Sequence, residues 1–242
     1  MKMTSRSEKC APTYTDYKNR AAWLADRWRS IGASEIAVIC GASNMSTPQE
    51  LWAQKTKKAR GKDISAKPEV AYGTEAEQYI RKLFELKFKD RYVMTYRPYR
   101  VYHSATHPYL SCTLDGELYD TETHEQGVWE CKTALINSKA AIDEWRSGIP
   151  QKYYCQVLQQ LYVMNYSFAV LTAELRFPDG NSETRNYNIS AAGAEADTEY
   201  IIGEAEKFWR YVTEKRKPPI KLTLKKSAST EIRSHIPAKM AP

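Results

Sequence analysis

Residues 114–135, LDGELYDTETHEQGVWECKTAL, contain the pattern from which the fold and the chemistry of this chain are inferred. The second half of the stretch, residues 128–135, is mostly apolar and predicts a β-strand, yet it carries Glu130 and Lys132. Side chains two positions apart on a strand point the same way, so one face of this strand holds a carboxylate and an amine. Packing alone rarely places two such charges together, and the pair therefore indicates a functional site.

Two further carboxylates extend this pattern. Asp115 lies on the predicted strand before the one that carries Glu130, and Glu77 lies upstream on the inward face of a predicted helix. Hard divalent cations prefer a few carboxylate oxygens together with water and phosphate, which Asp115 and Glu130 could supply on adjacent strands. The main-chain carbonyl of Cys131 could be a further ligand, and Lys132 could orient an attacking water. The set therefore predicts a metal-dependent hydrolytic site.

Each of these residues also has a plainer explanation when it is taken alone. Thr74 and Glu77 match a helix capping box. The Asp-Gly pair at 115–116 is an ordinary turn dipeptide, and Glu130 with Lys132 could form an exposed strand edge of alternating charge. Only their combination, in the order helix, strand and strand, favours a site.

Length and charge indicate one domain with a basic end. The chain has 242 residues, 42% of them hydrophobic, which suffices for one large α/β domain. Its formal charge is +7, but residues 215–242 hold eight lysines and arginines and one acid, so the rest is neutral. We predict a domain over residues 1–216 and a basic, flexible tail over 217–242, which either contacts phosphates or is merely solvated.

The cysteines and the N-terminus exclude several classes of protein. Five widely spaced cysteines without a C-x-x-C pair argue against a disulfide framework, a structural zinc site or an iron–sulfur cluster. The first residues lack the apolar core of a signal peptide, and no run reaches the length of a membrane span. We expect a soluble, cytoplasmic protein with reduced thiols.

Apolar periodicity predicts alternating helices and strands. Ser34 is expected to cap the second helix and Gly41 to end it. Thr47 and Glu50 are expected to form a capping box at the start of the third helix, with Pro48 at its first position, and residues 55–67 to loop over the surface. Ile80, Leu83 and Phe84 should form the apolar stripe of the fourth helix. The predicted helices cover residues 23–30, 35–40, 48–58, 74–87, 151–164 and 194–213. The predicted strands cover 92–102, 109–118, 127–135, 167–175 and 184–189, of which the first three form an antiparallel meander and the fourth continues the sheet.

Five short motifs occur in an order and at spacings that resemble one known family. They are Trp23-x-x-x-Arg27 with Ile31-Gly32-Ala33-Ser34-Glu35, Tyr72-Gly73-x-x-x-Glu77, Leu114-Asp115-Gly116, Glu130-Cys131-Lys132 and Tyr153-x-x-Gln156-Val157. In this pattern, which covers about residues 23–165, the chain resembles the phage lambda exonuclease and YqaJ-type recombinase nucleases, a branch of the PD-(D/E)XK superfamily. Leu114 replaces the usual proline of the superfamily signature.

The resemblance implies an α/β fold with a restriction-endonuclease-like core, in which helices flank a central mixed β-sheet. It also implies that Asp115 and Glu130 bind Mg²⁺, for which Mn²⁺ could substitute. Lys132 would position the attacking water, and Glu77 and Gln156 would complete the pocket. Without the resemblance, a glutamine at 156 beside two others on a helix is typical of a solvated side chain.

Three more residues acquire roles through the resemblance. Arg27 and Ser34 match residues that hold the 5′ phosphate of the DNA end, a role suited to a guanidinium fork and a helix N-terminus. Taken alone, Arg27 is typical of a surface cation packed on an aromatic ring and Ser34 of a helix cap. Val70 matches an apolar wedge that splits the duplex, or equally a hydrophobic staple of the next helix.

The implied activity is Mg²⁺-dependent 5′ to 3′ digestion of linear double-stranded DNA, which leaves a 3′ overhang for phage-type recombination. The implied partners are DNA ends, a single-strand annealing protein and further copies in a trimeric ring, with a phage or prophage gene in a bacterial host. Two alternatives stay open at this point. One is an endonuclease of the same superfamily in restriction or repair, and the other is a non-catalytic DNA-binding module that uses the basic tail.

Overall fold

The structure is a computed structural model that describes residues 11–59, 61 and 64–220. Its helices are α1 (Arg20–Asp26), α2 (Ile36–Ile39), α3 (Pro48–Lys55), α4 (Pro68–Lys87), α5 (Lys139–Arg146), α6 (Gln151–Met164) and α7 (Glu195–Thr213). Its strands are β1 (Thr13–Asp16), β2 (Ile31–Gly32), β3 (Tyr92–Thr95), β4 (Arg100–His103), β5 (Leu110–Cys112), β6 (Gly116–Asp120), β7 (Gln126–Leu135), β8 (Phe168–Arg176) and β9 (Ser182–Ser190). Short 3₁₀ turns cover Arg27–Arg29 and Ala33–Glu35.

The larger sheet has the order β3-β6-β7-β8-β9 within the described residues. β7 pairs in parallel with β8, and all its other pairings are antiparallel, so the sheet is mixed. α6 connects the two parallel strands and buries Tyr154, Val157, Leu158 and Leu161 against the sheet, as predicted. The expected continuation of the sheet after β7 is confirmed.

Helices α4 and α6 cover opposite faces of this sheet. Val128 on β7 belongs to the main core around α6, whereas its neighbour Trp129 packs in a second cluster with Ile80 and Phe84 of α4. This alternation follows from the two-residue period of a strand. A mixed sheet flanked by helices confirms the predicted α/β class.

A smaller sheet, again within the described residues, has the order β1-β4-β5-β2. Its strand β2 follows the 3₁₀ turn that contains Arg27. In it β2 pairs in parallel with β5, with Ile31 opposite Leu110. Gln159 of α6 donates hydrogen bonds from Nε2 to the carbonyls of Ile31 (2.8 Å) and Ser111 (3.0 Å). Gln159 is fully buried, where a polar side chain needs hydrogen-bond partners. These two bonds connect the smaller sheet to α6, the helix that packs against the larger sheet.

Several predicted strands and helices have wrong boundaries. The predicted strands 92–102 and 109–118 are each two strands that belong to different sheets, so only β3, β6 and β7 form the expected meander. The predicted helix 23–30 is α1 followed by a 3₁₀ turn. α5 and β1 were not predicted from the sequence.

Helix α4 corrects two further expectations. It begins at Pro68, so Thr74 lies inside the helix and is not a cap; its Oγ1 donates to the Val70 carbonyl over 2.9 Å. The plainer explanation of Glu77 as part of a capping box is therefore wrong. Leu83 is 66% exposed, in contrast to Ile80 and Phe84, which are buried as predicted.

The signals that bound α2 and α3 are confirmed in part. Thr47 and Glu50 form the expected capping box at the start of α3, with proline at its first position. Gly41 follows α2 with φ +77°, a conformation that glycine adopts at little cost. However, α3 ends at Lys55 rather than near residue 58, and Lys55 is buried instead of beginning a surface loop.

The remaining global predictions are tested only in part. Cys40, Cys112, Cys131 and Cys155 are free thiols, while Cys10 lies outside the described residues. Among the described residues, no helix combines the length and apolar composition that crossing a bilayer requires. The predicted tail falls mostly on residues 221–242, which lie outside the described part of the chain, so the division at 216 stays a prediction.

Candidate active site

Glu130 is a buried carboxylate at the centre of β7, only 2% exposed. Its Oε1 accepts hydrogen bonds from Lys132 Nζ (2.5 Å) and Gln156 Nε2 (2.6 Å), and its Oε2 accepts one from Gln160 Nε2 (2.5 Å). Burying a charged carboxylate is costly unless it is paired and hydrogen-bonded, and these three donors meet that requirement. The exposed-edge explanation of Glu130 and Lys132 is therefore wrong.

Asp115 lies next to Glu130 because of the strand register. Gly116, the first residue of β6, pairs with Trp129, which places Asp115 beside the β7 residues that follow. Its Oδ2 accepts a hydrogen bond from the Cys131 amide over 2.9 Å. Burial, and then the negative charges of Glu130 and Glu77, raise the Asp115 pKa well above its usual range. The turn that Asp115 and Gly116 form thus delivers a carboxylate to the site.

Glu77 reaches the same site from α4. Its Oε1 accepts a hydrogen bond from Arg81 Nη1 over 3.2 Å, and the same Arg81 nitrogen donates to the Asp115 carbonyl over 2.9 Å. Burial raises the Glu77 pKa, which the Arg81 charge partly opposes and Glu130 reinforces. Arg81 therefore fixes α4 and the Asp115 turn relative to each other, a role that no sequence pattern indicates.

Lys132 remains a cation in this acidic surrounding. Burial acts against its charged form, but Glu130 and Asp115 outweigh that effect and raise the Lys132 pKa above its usual value. The side chain is 20% exposed, so its ammonium group is accessible from the cavity that it lines. A charged, accessible ammonium group can orient a water molecule or stabilise negative charge on a substrate.

The oxygen donors of this site fit a hard divalent cation. Within the described residues, no three His, Cys, Asp or Glu side chains are grouped so that they could hold a metal ion by themselves. Magnesium, however, is usually bound by one or two carboxylates together with water and substrate phosphates. Burial and then the charges of Glu130 and Glu77 raise the pKa of Asp115, and a cation would offset those two negative charges. Asp115, Glu130 and the Cys131 carbonyl are the groups that could hold it.

One cavity of about 670 Å³ brings together all nine candidate residues from the sequence. They come from the N-terminal part of α4, the Asp115 turn, β7, α6 and the segment around the first 3₁₀ turn. The nine residues that line it are Arg27, Ser34, Val70, Glu77, Asp115, Glu130, Cys131, Lys132 and Gln156. Val70 lies in the first turn of α4, on the wall of this cavity.

Arg27 and Ser34 form a polar pair in the cavity wall. Arg27 Nη2 donates to Ser34 Oγ over 3.2 Å and lies 3.6 Å from Glu35 Oε1, while its guanidinium carbon is 5.3 Å from the centre of the Trp23 ring. The expectation that Ser34 caps a helix is wrong, because Ser34 lies within a 3₁₀ turn and α2 has only four residues. A guanidinium and a hydroxyl, rather than a helix N-terminus, are available to an anion here.

A buried lysine, Lys55, bonds to the backbone of Arg27 and to the neighbouring Glu35. Lys55 Nζ donates to Glu35 Oε2 over 2.6 Å and to the Arg27 carbonyl over 2.7 Å, and Glu35 Oε2 also accepts from the Gly32 amide over 2.8 Å. Burial lowers the Lys55 pKa, while Glu35 acts in the opposite direction. The network fixes the backbone at Arg27, so Lys55 belongs to the site indirectly.

Four residues of the site were therefore missed or misplaced from the sequence: Glu35, Lys55, Arg81 and Gln160. A usable signal existed for Gln160, which follows Gln156 by four residues and so shares its helix face. Lys55 likewise follows Leu51 by four residues on α3, both buried. Arg81 follows Glu77 by four residues on α4, a spacing that signals their ion pair, but its hydrogen bond to the distant Asp115 carbonyl has no local signal.

Two solved structures with a similar fold are those of one alkaline exonuclease. LHK-Exo, an alkaline exonuclease from Laribacter hongkongensis, superimposes with a TM-score of 0.52 at 17% identity, covering 80% of this chain and 96% of that one. The same enzyme in complex with dAMP gives a TM-score of 0.50 at 16% identity, with the same coverage. At such identities the likeness shows the fold alone, and it agrees with the expected mixed α/β core.

Sequence comparison identifies the family. The protein YqaJ of Bacillus subtilis (strain 168) is 28% identical over 166 residues, which are 66% of this chain and 48% of YqaJ, so the match spans about half of that relative. The sequence model of the YqaJ-like viral recombinase domain matches residues 22–167, the part of the chain that contains every residue of the cavity named above. The chain therefore belongs to the family of YqaJ-like viral recombinase domains.

Proposed function

We propose that this chain is a Mg²⁺-dependent exonuclease that degrades the 5′-ended strand of linear double-stranded DNA. The observation that carries the proposal is the meeting of an acidic cluster with a lysine, Asp115, Glu130 and Lys132, and an anion-binding pair, Arg27 and Ser34, in one cavity. The family and the fold of the alkaline exonucleases support a nuclease. The direction and the metal dependence rest on the chemistry of the cavity.

Asp115, Glu130 and the carbonyl of Cys131 would hold the metal ion. Bound there, Mg²⁺, or Mn²⁺ in its place, would polarise the scissile phosphate and lower the pKa of a bound water. Gln156 and Gln160 keep the Glu130 oxygens in one orientation, since each donates to a different oxygen. Such ordering matters because groups that act on a transition state must be fixed before the reaction.

Lys132 would act on the attacking water and on the phosphate. Its ammonium group donates a hydrogen bond to Glu130 Oε1, and such a group can also donate to a water molecule or a phosphate oxygen. We assign it the orientation of the water and the stabilisation of charge on the phosphate oxygens. Glu77, whose pKa is raised by burial, and Gln156 complete the wall around that position.

Arg27 and Ser34 would bind the terminal 5′ phosphate. A guanidinium and a hydroxyl 3.2 Å apart offer several donors to one phosphate group, and the Lys55–Glu35 pair keeps Arg27 in place. A strand held by its terminal phosphate near Lys132 would be cut from its 5′ end. Val70, in the cavity wall at the start of α4, would separate the two strands of the duplex.

The biological role follows from that direction of digestion. Removal of the 5′-ended strand leaves a 3′ overhang, which we propose is passed to a single-strand annealing protein during phage-type recombination in the cytoplasm of a bacterial host. We further propose that the protein acts as a trimeric ring around DNA. Light scattering of the purified protein would reveal a mass of three chains if this is correct, and of one chain if it is not.

Digestion of matched DNA substrates tests the exonuclease proposal. Linear duplexes with 5′ phosphates should be degraded in Mg²⁺, and covalently closed circles should not. Equal digestion of both would instead indicate an endonuclease of the same superfamily, and binding without hydrolysis in Mg²⁺ or Mn²⁺ would indicate a non-catalytic DNA-binding module. Arg27→Ala should abolish the preference for phosphorylated ends while cleavage persists; an unchanged preference would remove Arg27 from the phosphate pocket.

A further inference from the structure

A patch of positive charge adjoins the cavity on the side of Arg27. Arg29 lines the cavity, and its guanidinium carbon lies 5.4 Å from the centre of the Trp28 ring. Lys57 Nζ lies 3.6 Å from the centre of the same ring, and Lys58 Nζ lies 4.4 Å from the centre of the Trp52 ring. Arg29, Lys57 and Lys58, supported on these two tryptophans, are called here the tryptophan–lysine surface.

The two lysines of this surface are available to an anion. Within the described residues neither Lys57 nor Lys58 forms an ion pair with an acid, whereas Arg29 pairs with Asp26 over 2.5 Å. Packing on an aromatic face restricts a long side chain without neutralising its charge. Binding an anion then costs less side-chain entropy. The sequence continues the basic run with Arg60 and Lys62, which lie outside the described residues.

The backbone at Lys57 is a second, independent sign of function. Lys57 follows the end of α3 with φ +58°, in the left-handed region, and its amide donates to the Gln54 carbonyl over 3.1 Å. Glycine is the usual residue at this position after a helix, because any side chain there costs conformational energy. The chain has a lysine at this position in spite of that conformational energy, and its ammonium group lies against the Trp28 ring. Strain of this kind is typical of functional positions.

We propose that the tryptophan–lysine surface binds backbone phosphates of the DNA substrate outside the cavity. The proposal rests on the proposed function, since the surface adjoins the pocket proposed for the terminal phosphate, with Arg27 and Arg29 in the wall of one cavity. Duplex DNA presents closely and regularly spaced phosphates to such a surface. Binding to phosphates carries no sequence information, which suits an enzyme that must digest any sequence.

The salt dependence of DNA binding measures these phosphate interactions directly. Removing one lysine–phosphate interaction lowers the slope of log K against log salt by about 0.9 for duplex DNA. Lys57→Ala/Lys58→Ala should therefore lower the slope by about 1.8. Binding of a 5′-phosphorylated duplex of about 30 base pairs is measured by fluorescence anisotropy in chelator, so that no cleavage occurs, over about 50–200 mM salt.

Two further variants separate binding from folding and from bulk charge. Lys57→Gly relieves the left-handed conformation, so the melting temperature should stay the same or rise while the slope falls by about 0.9. Lys87→Ala/Lys89→Ala also removes two positive charges, but at the C-terminal end of α4, beyond Glu77. There Lys87 Nζ lies 5.5 Å from the centre of the Phe88 ring, so this pair, too, includes a lysine next to an aromatic ring. This control should keep the wild-type slope.

An unchanged slope in Lys57→Ala/Lys58→Ala, or an equal fall in the Lys87→Ala/Lys89→Ala control, would overturn the proposal. The failure of the proposed function is recognised separately, by the absence of Mg²⁺-dependent digestion in the wild-type protein. A slope that falls as expected in a protein without hydrolysis would support the binding of phosphates by this surface and reject the nuclease.

Discussion

Gln160 donates a hydrogen bond to Glu130 at the centre of the site, with 2.5 Å between Nε2 and Oε2. The same nitrogen lies 3.3 Å from the Thr113 carbonyl, and the side chain is fully buried. Gln156, one helical turn earlier, holds the other oxygen of Glu130. The carboxylate is therefore oriented by two glutamines of α6 in addition to Lys132.

Loss of Gln160 should weaken both metal binding and catalysis. Residues that orient metal ligands typically contribute about 10–100-fold to affinity or activity. We expect Gln160→Leu to lower kcat by a factor in that range and to raise the Mg²⁺ concentration needed for half-maximal activity. Mg²⁺ titrations of the initial rate check this, with Gln151→Leu, at the exposed start of α6, as the control. Equal titration curves for Gln160→Leu and the wild type would contradict the role.

The buried Lys55–Glu35 pair predicts a non-additive effect on stability. Lys55→Met leaves the Glu35 carboxylate without its closest partner, which should lower the free energy of unfolding by about 3 kcal/mol. Lys55→Met/Glu35→Leu removes both charges and should recover most of that loss, because apolar replacement of a buried pair is often neutral. Urea denaturation of these variants, of Glu35→Leu and of the wild type completes the cycle. A double variant whose loss equals the sum of the losses in Lys55→Met and Glu35→Leu would show that the pair is not coupled.

Gly73 sets the distance between α4 and β7. A Cβ atom added there would lie 2.9 Å from Thr133 Oγ1, closer than real packing permits. Gly73→Ala should therefore shift α4, and Glu77 with it, lowering activity and costing about 1–3 kcal/mol of stability. Adding Thr133→Ala should restore part of both. Gly203→Ala, in α7 with no heavy atom near the new Cβ, should instead stabilise by up to about 1 kcal/mol. If Gly73→Ala stabilises as Gly203→Ala does, the close packing is refuted.

Asp120 predicts how stability depends on acid pH. Burial raises its pKa, but the amides of Glu122 and Thr123 and the Arg91 guanidinium outweigh burial, and the pKa lies below its usual value. The stabilisation is present above the unfolded pKa of about 3.9 and is lost as pH falls through the lower folded pKa. Asp120→Asn should cost about 1–2 kcal/mol at neutral pH, and the difference from wild type should shrink below about pH 4. Denaturation curves at several pH values check this; a constant difference would contradict it.

Long periodic segments and strong local signals were predictable from the sequence. α6 was predicted with the boundaries that the structure has, because its apolar positions repeat at the helical period without interruption. The Thr47–Glu50 capping box was equally clear, since both partners lie within one turn. The meeting of Asp115, Glu130 and Lys132 was also predictable, because two neighbouring strands and a two-residue period suffice to bring them together.

The features that were not predictable depend on interactions between distant segments. Residues 92–102 are rich in tyrosine and valine, interrupted by Pro98, and only the pairing of β3 with β6 and of β4 with β5 shows that the chain changes sheet within them. Gln160 was not identified as a site residue, because a glutamine on a helix usually lies in solvent and its partners at Thr113 and Glu130 belong to other parts of the chain. Leu83 follows Ile80 by three residues and so fits the helical stripe, but its side chain is mostly exposed in the structure.

Release of label from DNA ends tests the central claim most directly. A linear duplex with a labelled 5′ phosphate is compared with one labelled at the 3′ end, in Mg²⁺ and in chelator, with the wild-type protein and with Lys132→Ala. We predict early release of the 5′ label in Mg²⁺, none in chelator, and a rate at least about 100-fold lower for Lys132→Ala. Release of the label in chelator, or a Lys132→Ala rate within about tenfold of the wild type, would contradict the assignment of hydrolysis to this site.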